Sequence, residues 1–442
     1  MKQSTVRSWR TLGSSLTLCL ATWHLPGCSA EPGAESPDIA DQDIIAGFPA
    51  NGSKLDAIGS IGQLYWDEWA EAPAYFPYCS GSLIGPQTVL TAKHCLDFFR
   101  SDAAVGIPTA FAIGPDGYAP QRLLEVVDIA GAPNDEGGFV GYGHDVGAMF
   151  LLEKVTDLTP LQLGTLSRKN VGKDFVQIGY GMRDNSFAAG TRRVGKAELV
   201  ALKGKIFEIL FGSFEAFKSW FETGSPTPED APFTTGPVAP GAFLMMARSI
   251  VEQKLVAEGG GPVPIPPVGA GGSSATGGSG ASAGAPPTEE GGAGPGDPDA
   301  FLREIYDSVV LNEGYEAVFG GTEGDAQACY GDSGSPIVKA DKQGSLVAYG
   351  VISGGVGSSS LVCDFGGVDA IFGPEVMAFL QEAQAWVDPC HGLSTSGICK
   401  GRKAQRCTNP NEGPRRPIEF DCSLIGQVCA TQPDGSAGCS DP

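Results

Sequence analysis

Beyond His24 near the N-terminus, the 442 residues hold three histidines, His94, His144 and His391. Chemistry that needs an imidazole to move protons near neutral pH therefore has few places to sit. His94 stands in Thr91-Ala92-Lys93-His94-Cys95, and Cys79 precedes it. A Cys79–Cys95 disulfide would close a short loop and fix the backbone carrying His94. Far along the chain, Cys329-Tyr330-Gly331-Asp332-Ser333-Gly334-Ser335-Pro336 sets Ser333 among glycines. Such a run holds a serine in a tight turn and turns the Gly331 and Ser333 N–H groups into a cleft, where they would stabilise an oxyanion. Between the two lies Gly143-His144-Asp145-Val146-Gly147-Ala148-Met149-Phe150-Leu151-Leu152, a carboxylate at the head of an apolar, strand-like run. Singly, a His beside a Cys reads as a core residue and an Asp as a turn or cap. Hydroxyl, imidazole and carboxylate together are the parts of a nucleophilic hydrolase. His144 adjoins Asp145 but lacks bracing cysteines, and reads as the residue leading into the strand.

The elements that must position these groups are short. From Ile44 to about Val200, runs such as Ser82-Leu83-Ile84, Thr88-Val89-Leu90, Leu124-Glu125-Val126-Val127 and Val146 to Leu152 are bounded by Gly, Pro and Asn, the pattern of an all-β barrel or sandwich. Residues 203–258 break it. Ile206, Leu210, Phe214, Phe217 and Phe221 recur at helical spacing and Gly241 to Glu258 forms a second helix candidate, both expected to lay apolar faces on the host domain. Residues 259–298 are Gly, Pro, Ser and Ala, a linker by composition. Strand-like text resumes at Ser308-Val309-Val310-Leu311 and runs to Phe372, after which Pro374 to Trp386 reads as an amphipathic helix with Pro in its first turn. In residues 389–442, Cys390, Cys399, Cys407, Cys422, Cys429 and Cys439 crowd a segment poor in core material. They imply three disulfides in one of 15 connectivities, and with no CxxC pair and His391 alone, zinc is the weaker reading.

Composition narrows the setting. Acidic residues number 51 against 29 basic ones, a formal charge of −22, which excludes a phosphate-neutralising nucleic-acid binder. Twelve cysteines point to an oxidising compartment. Lys2, Arg7 and Arg10 precede an apolar stretch from Leu12 to Leu25 that is too short and too interrupted to span a bilayer, so residues 1–27 read as an export signal. Leu25-Pro26-Gly27-Cys28 is similar to the lipobox of bacterial lipoproteins, with Cys28 as the lipidated residue; ordinary cleavage after Ala30 is the rival. Residues 28–43 then form a polar leader, and the expected location is the bacterial envelope, lipid-anchored, or the exterior.

The runs TAKHC, HDVGAMFL and GDSGSP, in that order, resemble the His, Asp and Ser motifs of the chymotrypsin-like (trypsin-fold) serine proteases. The resemblance covers about Ile44 to Val387 apart from residues 203–300. It implies two antiparallel six-stranded β-barrels with a C-terminal helix over residues 44–388, carrying the insertion 203–300, with the small Cys-rich module appended. It implies Ser333 as nucleophile, His94 as general base, Asp145 as the group that orients it, and Gly331 and Ser333 as oxyanion donors. Cys329–Cys363 matches a second family disulfide, bracing the specificity pocket. Val351-Ile352-Ser353-Gly354-Gly355 resembles the strand that pairs with substrate, with Ser353 supporting Asp145, and Ile178-Gly179-Tyr180-Gly181 resembles a glycine turn opening the second barrel. Ile44-Ile45-Ala46-Gly47 resembles a mature start whose freed amine pairs with Asp332. The implied partner is a protein or peptide; no cofactor or metal is implied.

Three departures qualify the likeness, the first being the insertion 203–300, which lengthens the interval between Asp145 and Ser333. Where trypsins place the carboxylate that selects Arg or Lys stands Gln327, with Tyr330 at the pocket mouth, so cleavage after basic residues is not expected. Asp43 before Ile44 offers no basic residue to a trypsin-like activator, so another specificity or self-cleavage is expected. The competing functional class is a catalytically silent binding or adhesion protein on the same fold; an esterase is a third reading. The C-terminal module resembles a small Cys-rich repeat appended to exported bacterial proteins, with stability or substrate binding as its expected use.

Overall fold

The computed structural model describes residues 48–67, 71–182, 189–223, 299–321, 325–355, 366–408 and 415–442. The export signal, the leader with Cys28 and Ile44, the helix candidate at Gly241 to Glu258 and the 259–298 linker lie outside the described residues.

Six strands form the first barrel: β2 (Ile58–Asp67), β3 (Ala72–Gly85), β4 (Thr88–Thr91), β5 (Thr109–Ile113), β6 (Arg122–Gly131) and β7 (Gly147–Leu151), after a short β1 (Phe48–Pro49). They pair antiparallel in the order β2-β3-β4-β7-β6-β5, and β5 closes on β2. Strands β4 and β7 are buried along their whole length, on both faces, which suits the continuous apolar run of β7. Val89, Met149 and Leu151 face the barrel core, while Ala148 and Phe150 are covered by the C-terminal helix region, where Trp386 stacks on Phe150 at 4.5 Å.

The second barrel uses β9 (Asp174–Gly179), β10 (Arg193–Ala201), β11 (Glu316–Phe319), β12 (Pro336–Ala340), β13 (Leu346–Gly355) and β14 (Gly367–Ile371), with β8 (Gln162–Leu163) added in parallel beside β13. The ring β9-β10-β11-β14-β13-β12 closes antiparallel on β9, so the described residues hold two closed six-stranded barrels. Phe175, Leu199, Phe319, Ile337 and Ile352 fill the second. After it, α5 (Pro374–Gln384), preceded by α1 (Cys95–Ala104), α2 (Ile206–Phe211), α3 (Phe214–Thr223) and α4 (Ala300–Ser308), returns to the first barrel. There Gln384 donates to the Ile84 carbonyl and Thr88 donates to the Ala383 carbonyl.

The helical run expected from Ile206 to Phe221 is two helices, because Gly212, at φ 71°, ends α2 with its N–H on the Glu208 carbonyl. Their apolar faces do pack on the host: Phe207, Phe217, Trp220 and Tyr306 form a core with Phe139 of the loop after β6, Val318 of β11 and Val368 of β14. The strand expected at Ser308 to Leu311 is corrected. α4 runs through Ser308, and beyond it Val310 makes only an isolated bridge with Lys205, since Val309 and Leu311 are drawn into the aromatic core rather than into a sheet.

In the module, β15 (Ile398–Lys400), β16 (Lys403–Cys407) and β17 (Pro417–Asp421) form one sheet and β18 (Val428–Thr431) with β19 (Ala437–Ser440) another. Cys390–Cys407, Cys399–Cys429 and Cys422–Cys439 are the pairs the sequence left open. Asp388, at the junction, is buried with Arg415 of the module at 2.8 Å.

Phe217 is fully buried, with ring centroids of Phe207 at 4.6 Å and Tyr306 at 5.5 Å. Phe217→Ala should therefore destabilise the fold by about 3–5 kcal/mol in chemical denaturation, through lost burial and a residual cavity.

Candidate active site

His94 lies where β4 gives way to α1, and the Cys79–Cys95 disulfide ties that corner to β3. Asp145 comes in ahead of β7, which is paired with β4, so barrel closure brings the two corners together. Asp145 is 2% exposed. Its Oδ1 accepts the His94 backbone N–H at 2.9 Å, and its Oδ2 faces the His94 ring Nδ1 at 2.8 Å. Ser353, on β13 of the other barrel, donates its hydroxyl to Oδ2 at 2.5 Å. Burial alone would raise the Asp145 pKa, but the charge and hydrogen bond of His94, then Ser353, hold it below the ordinary value. For His94 burial disfavours the charged ring, yet the Asp145 charge and hydrogen bond prevail and raise its pKa. With Nδ1 on a carboxylate, the favoured tautomer leaves Nε2 free to accept a proton.

Ser333 reaches this corner through backbone docking. Its carbonyl accepts the Ser80 N–H at 2.8 Å and lies 3.6 Å from the Cys95 sulfur. Gly334 is pressed so closely on Thr91 and Ser80 that any Cβ there would overlap them. Ser80 acts as a rivet: its hydroxyl donates to the Gly331 carbonyl at 2.7 Å and accepts the Tyr180 N–H at 3.2 Å. Among the described residues no hydrogen bond joins the Ser333 hydroxyl to His94; such bonds are often long before substrate binds. Nor do the Gly331 and Ser333 N–H groups have an acceptor among the described residues, which leaves both donors uncommitted.

Asp332 is buried between the Gly181 N–H at 2.7 Å and the Cys329 N–H at 3.0 Å. Burial pushes its pKa up to about 6 against those two bonds. Its expected partner Ile44 lies outside the described residues, as does Cys363; Cys329 itself is disulfide-bonded. Gln327 is 7% exposed, with its amide toward the Asp325 carbonyl at 3.5 Å, while Tyr330 is 60% exposed. Gly355 is exposed at the end of β13, and among the described residues a Cβ there would meet only the Ala328 carbonyl. His144 does not compete as a base. It is buried flat against Tyr315 at 3.7 Å, and burial lowers its pKa. Cys79, His94 and Cys95 bring metal-capable atoms within 4.8 Å, but both sulfurs are spent in the disulfide.

Three contributors had no motif to reveal them. Ser80 is one. Tyr142, whose ring centroid is 5.8 Å from that of His94 and whose hydroxyl donates to Asp97, is another. Glu316, whose carboxylate accepts the Phe139 N–H at 2.5 Å and the Asn312 N–H at 2.7 Å, is the third. The only signal for Glu316 was an acid in a strand where apolar residues are expected.

The Trypsin family model matches residues 62–201, from within β2 to the end of β10. That stretch contains His94 and Asp145 and ends before Ser333. With the two closed barrels, it supports a chymotrypsin-like, serine-protease-like fold. A search of curated proteins returned no match.

A Cβ on Gly179 would overlap the Asp332 carboxylate and the Ser335 hydroxyl. Gly179→Ala should accordingly cost about 1–3 kcal/mol, seen as a lowered melting temperature, and displace the turn that carries Ser333.

Proposed function

We propose that the protein is an exported serine endopeptidase that hydrolyses peptide bonds through an acyl-enzyme. The observation that carries the reading is the buried Asp145, bonded at once to the backbone and ring of His94 and to the hydroxyl of Ser353. In this scheme the Ser333 hydroxyl attacks the scissile carbonyl and His94 Nε2 takes its proton. Asp145 stabilises the imidazolium, and the N–H groups of Gly331 and Ser333 hold the oxyanion. His94 then protonates the leaving amine, and water, activated by the same imidazole, releases the acyl group.

Maturation follows from Asp332. A buried acid pushed up to about 6 by desolvation is a fitting partner for the ammonium that a cut between Asp43 and Ile44 would free. If Cys28 carries the lipid, the same cut releases the enzyme from the envelope. The substrate-pairing groups of this reading are Ser353 and Gly355, and the pocket floor is Gln327.

Fluorophosphonate labelling tests the nucleophile: the protein cut between Asp43 and Ile44 should be labelled and the cut Ser333→Ala form should not. A cut protein that stays unlabelled would leave the silent binding protein as the better reading, and labelling with ester but not casein turnover would favour an esterase. Because Asp145 raises the His94 pKa, the acid limb of the labelling rate should have its midpoint above 6.5, and Asp145→Asn should move it down. Peptide-library profiling should show no dominant Arg or Lys preference, since the neutral Gln327 amide cannot offset the desolvation of a buried cation.

A further inference from the structure

The residue beside the proposed base is a lysine whose ammonium is turned inward. Lys93 is 5% exposed, and its Nζ donates to the Asn134 carbonyl at 2.8 Å, to the Tyr142 carbonyl at 3.2 Å and to Asp135 Oδ1 at 3.0 Å. An ammonium has three donors, and all three are used. Its stem lies over Gly131, where a Cβ would come within 3.2 Å of Lys93 Cγ and Cδ.

All of these partners belong to the loop between β6 and β7, the loop that delivers Asp145. At the mouth of that loop the Ala132 N–H donates to the Val146 carbonyl, and the His144 N–H donates to the same Asn134 carbonyl that Lys93 holds. Glu316 takes the Phe139 N–H at its far side. The Asp135 carboxylate is 86% exposed, so that ion pair is screened and contributes little. The carbonyl contacts of the desolvated ammonium are the stronger ones.

We propose that Lys93 is a positioning residue, which pins the loop carrying Asp145 to the corner carrying His94 and so sets the Asp145–His94 geometry. The inference rests on the triad reading given above. Lys93 touches neither substrate nor the reacting atoms; it acts through the two backbones that Asp145 and His94 occupy.

The test is a double-mutant cycle on the protein after the cut between Asp43 and Ile44, read by saturable fluorophosphonate labelling. Lys93→Met keeps the stem and removes the donors. It should lower the maximal labelling rate by about 10- to 100-fold, with the half-saturating concentration within about threefold. In an Asp145→Asn background the same substitution should cost less than about threefold, because the geometry it protects is already lost. An unchanged maximal rate in Lys93→Met, or an equal loss in both backgrounds, overturns the proposal. Should Lys93→Met fail to fold, Lys93→Gln, which keeps a donor for one carbonyl, should give a smaller loss with the same dependence on Asp145, and a full rate there also overturns it. Failure of the triad reading shows separately, as labelling that survives Ser333→Ala.

Discussion

A carboxylate with almost no exposure must find partners for its charge inside the protein, or the cost of leaving water, several kcal/mol per ion, goes uncompensated. Asp145 finds them on two sides. The backbone and ring of His94 come from the first barrel and the Ser353 hydroxyl from the second, so the charge is satisfied only when both barrels are closed and docked. Ser80 repeats the constraint in neutral form, since it holds the Ser333 and Gly331 carbonyls while Thr91 donates to its own. The crevice between the barrels is thus a set of hydrogen bonds that neither half can complete alone.

Much of this was legible in the residues. The short apolar runs marked β3, β4, β6 and β7, Pro374 marked the start of the last helix, and two of the three motifs named His94 and Asp145, which meet. Cys79–Cys95 was readable because few residues separate the partners. The module's pairing was not, since six cysteines at similar spacings have no local preference and the bonds join separate sheets, Cys399 on β15 to Cys429 on β18 and Cys422 after β17 to Cys439 on β19. The run at Ser308 to Leu311 misled for a related reason. β-branched residues suit a strand or a buried corner equally well, and the aromatic core of the insertion claims these. Ser80 and Glu316 work through backbone groups distant in sequence, and such contacts leave no periodic trace.

The insertion is joined to the cleft by contact as well as by sequence. Phe139 and Val140, in the loop before Asp145, pack with its aromatic core, and the Gly354 backbone lies against the same two side chains. Glu316 adds a polar tie, bridging that loop to Asn312 where the insertion rejoins the second barrel. Long insertions cost little closure entropy, and this one adds a small core of its own beside the strand that ends at Gly355.

The division of the crevice between barrels also has a consequence for biogenesis. The first barrel is drawn from one continuous stretch, Ile58–Leu151, whereas the second must wait for β11 to β14, on the far side of the insertion, before its ring can shut. During synthesis, then, the corner holding His94 and Asp145 is complete well before the turn holding Ser333 is made, and Ser353, which closes on Asp145 from the other side, comes later still.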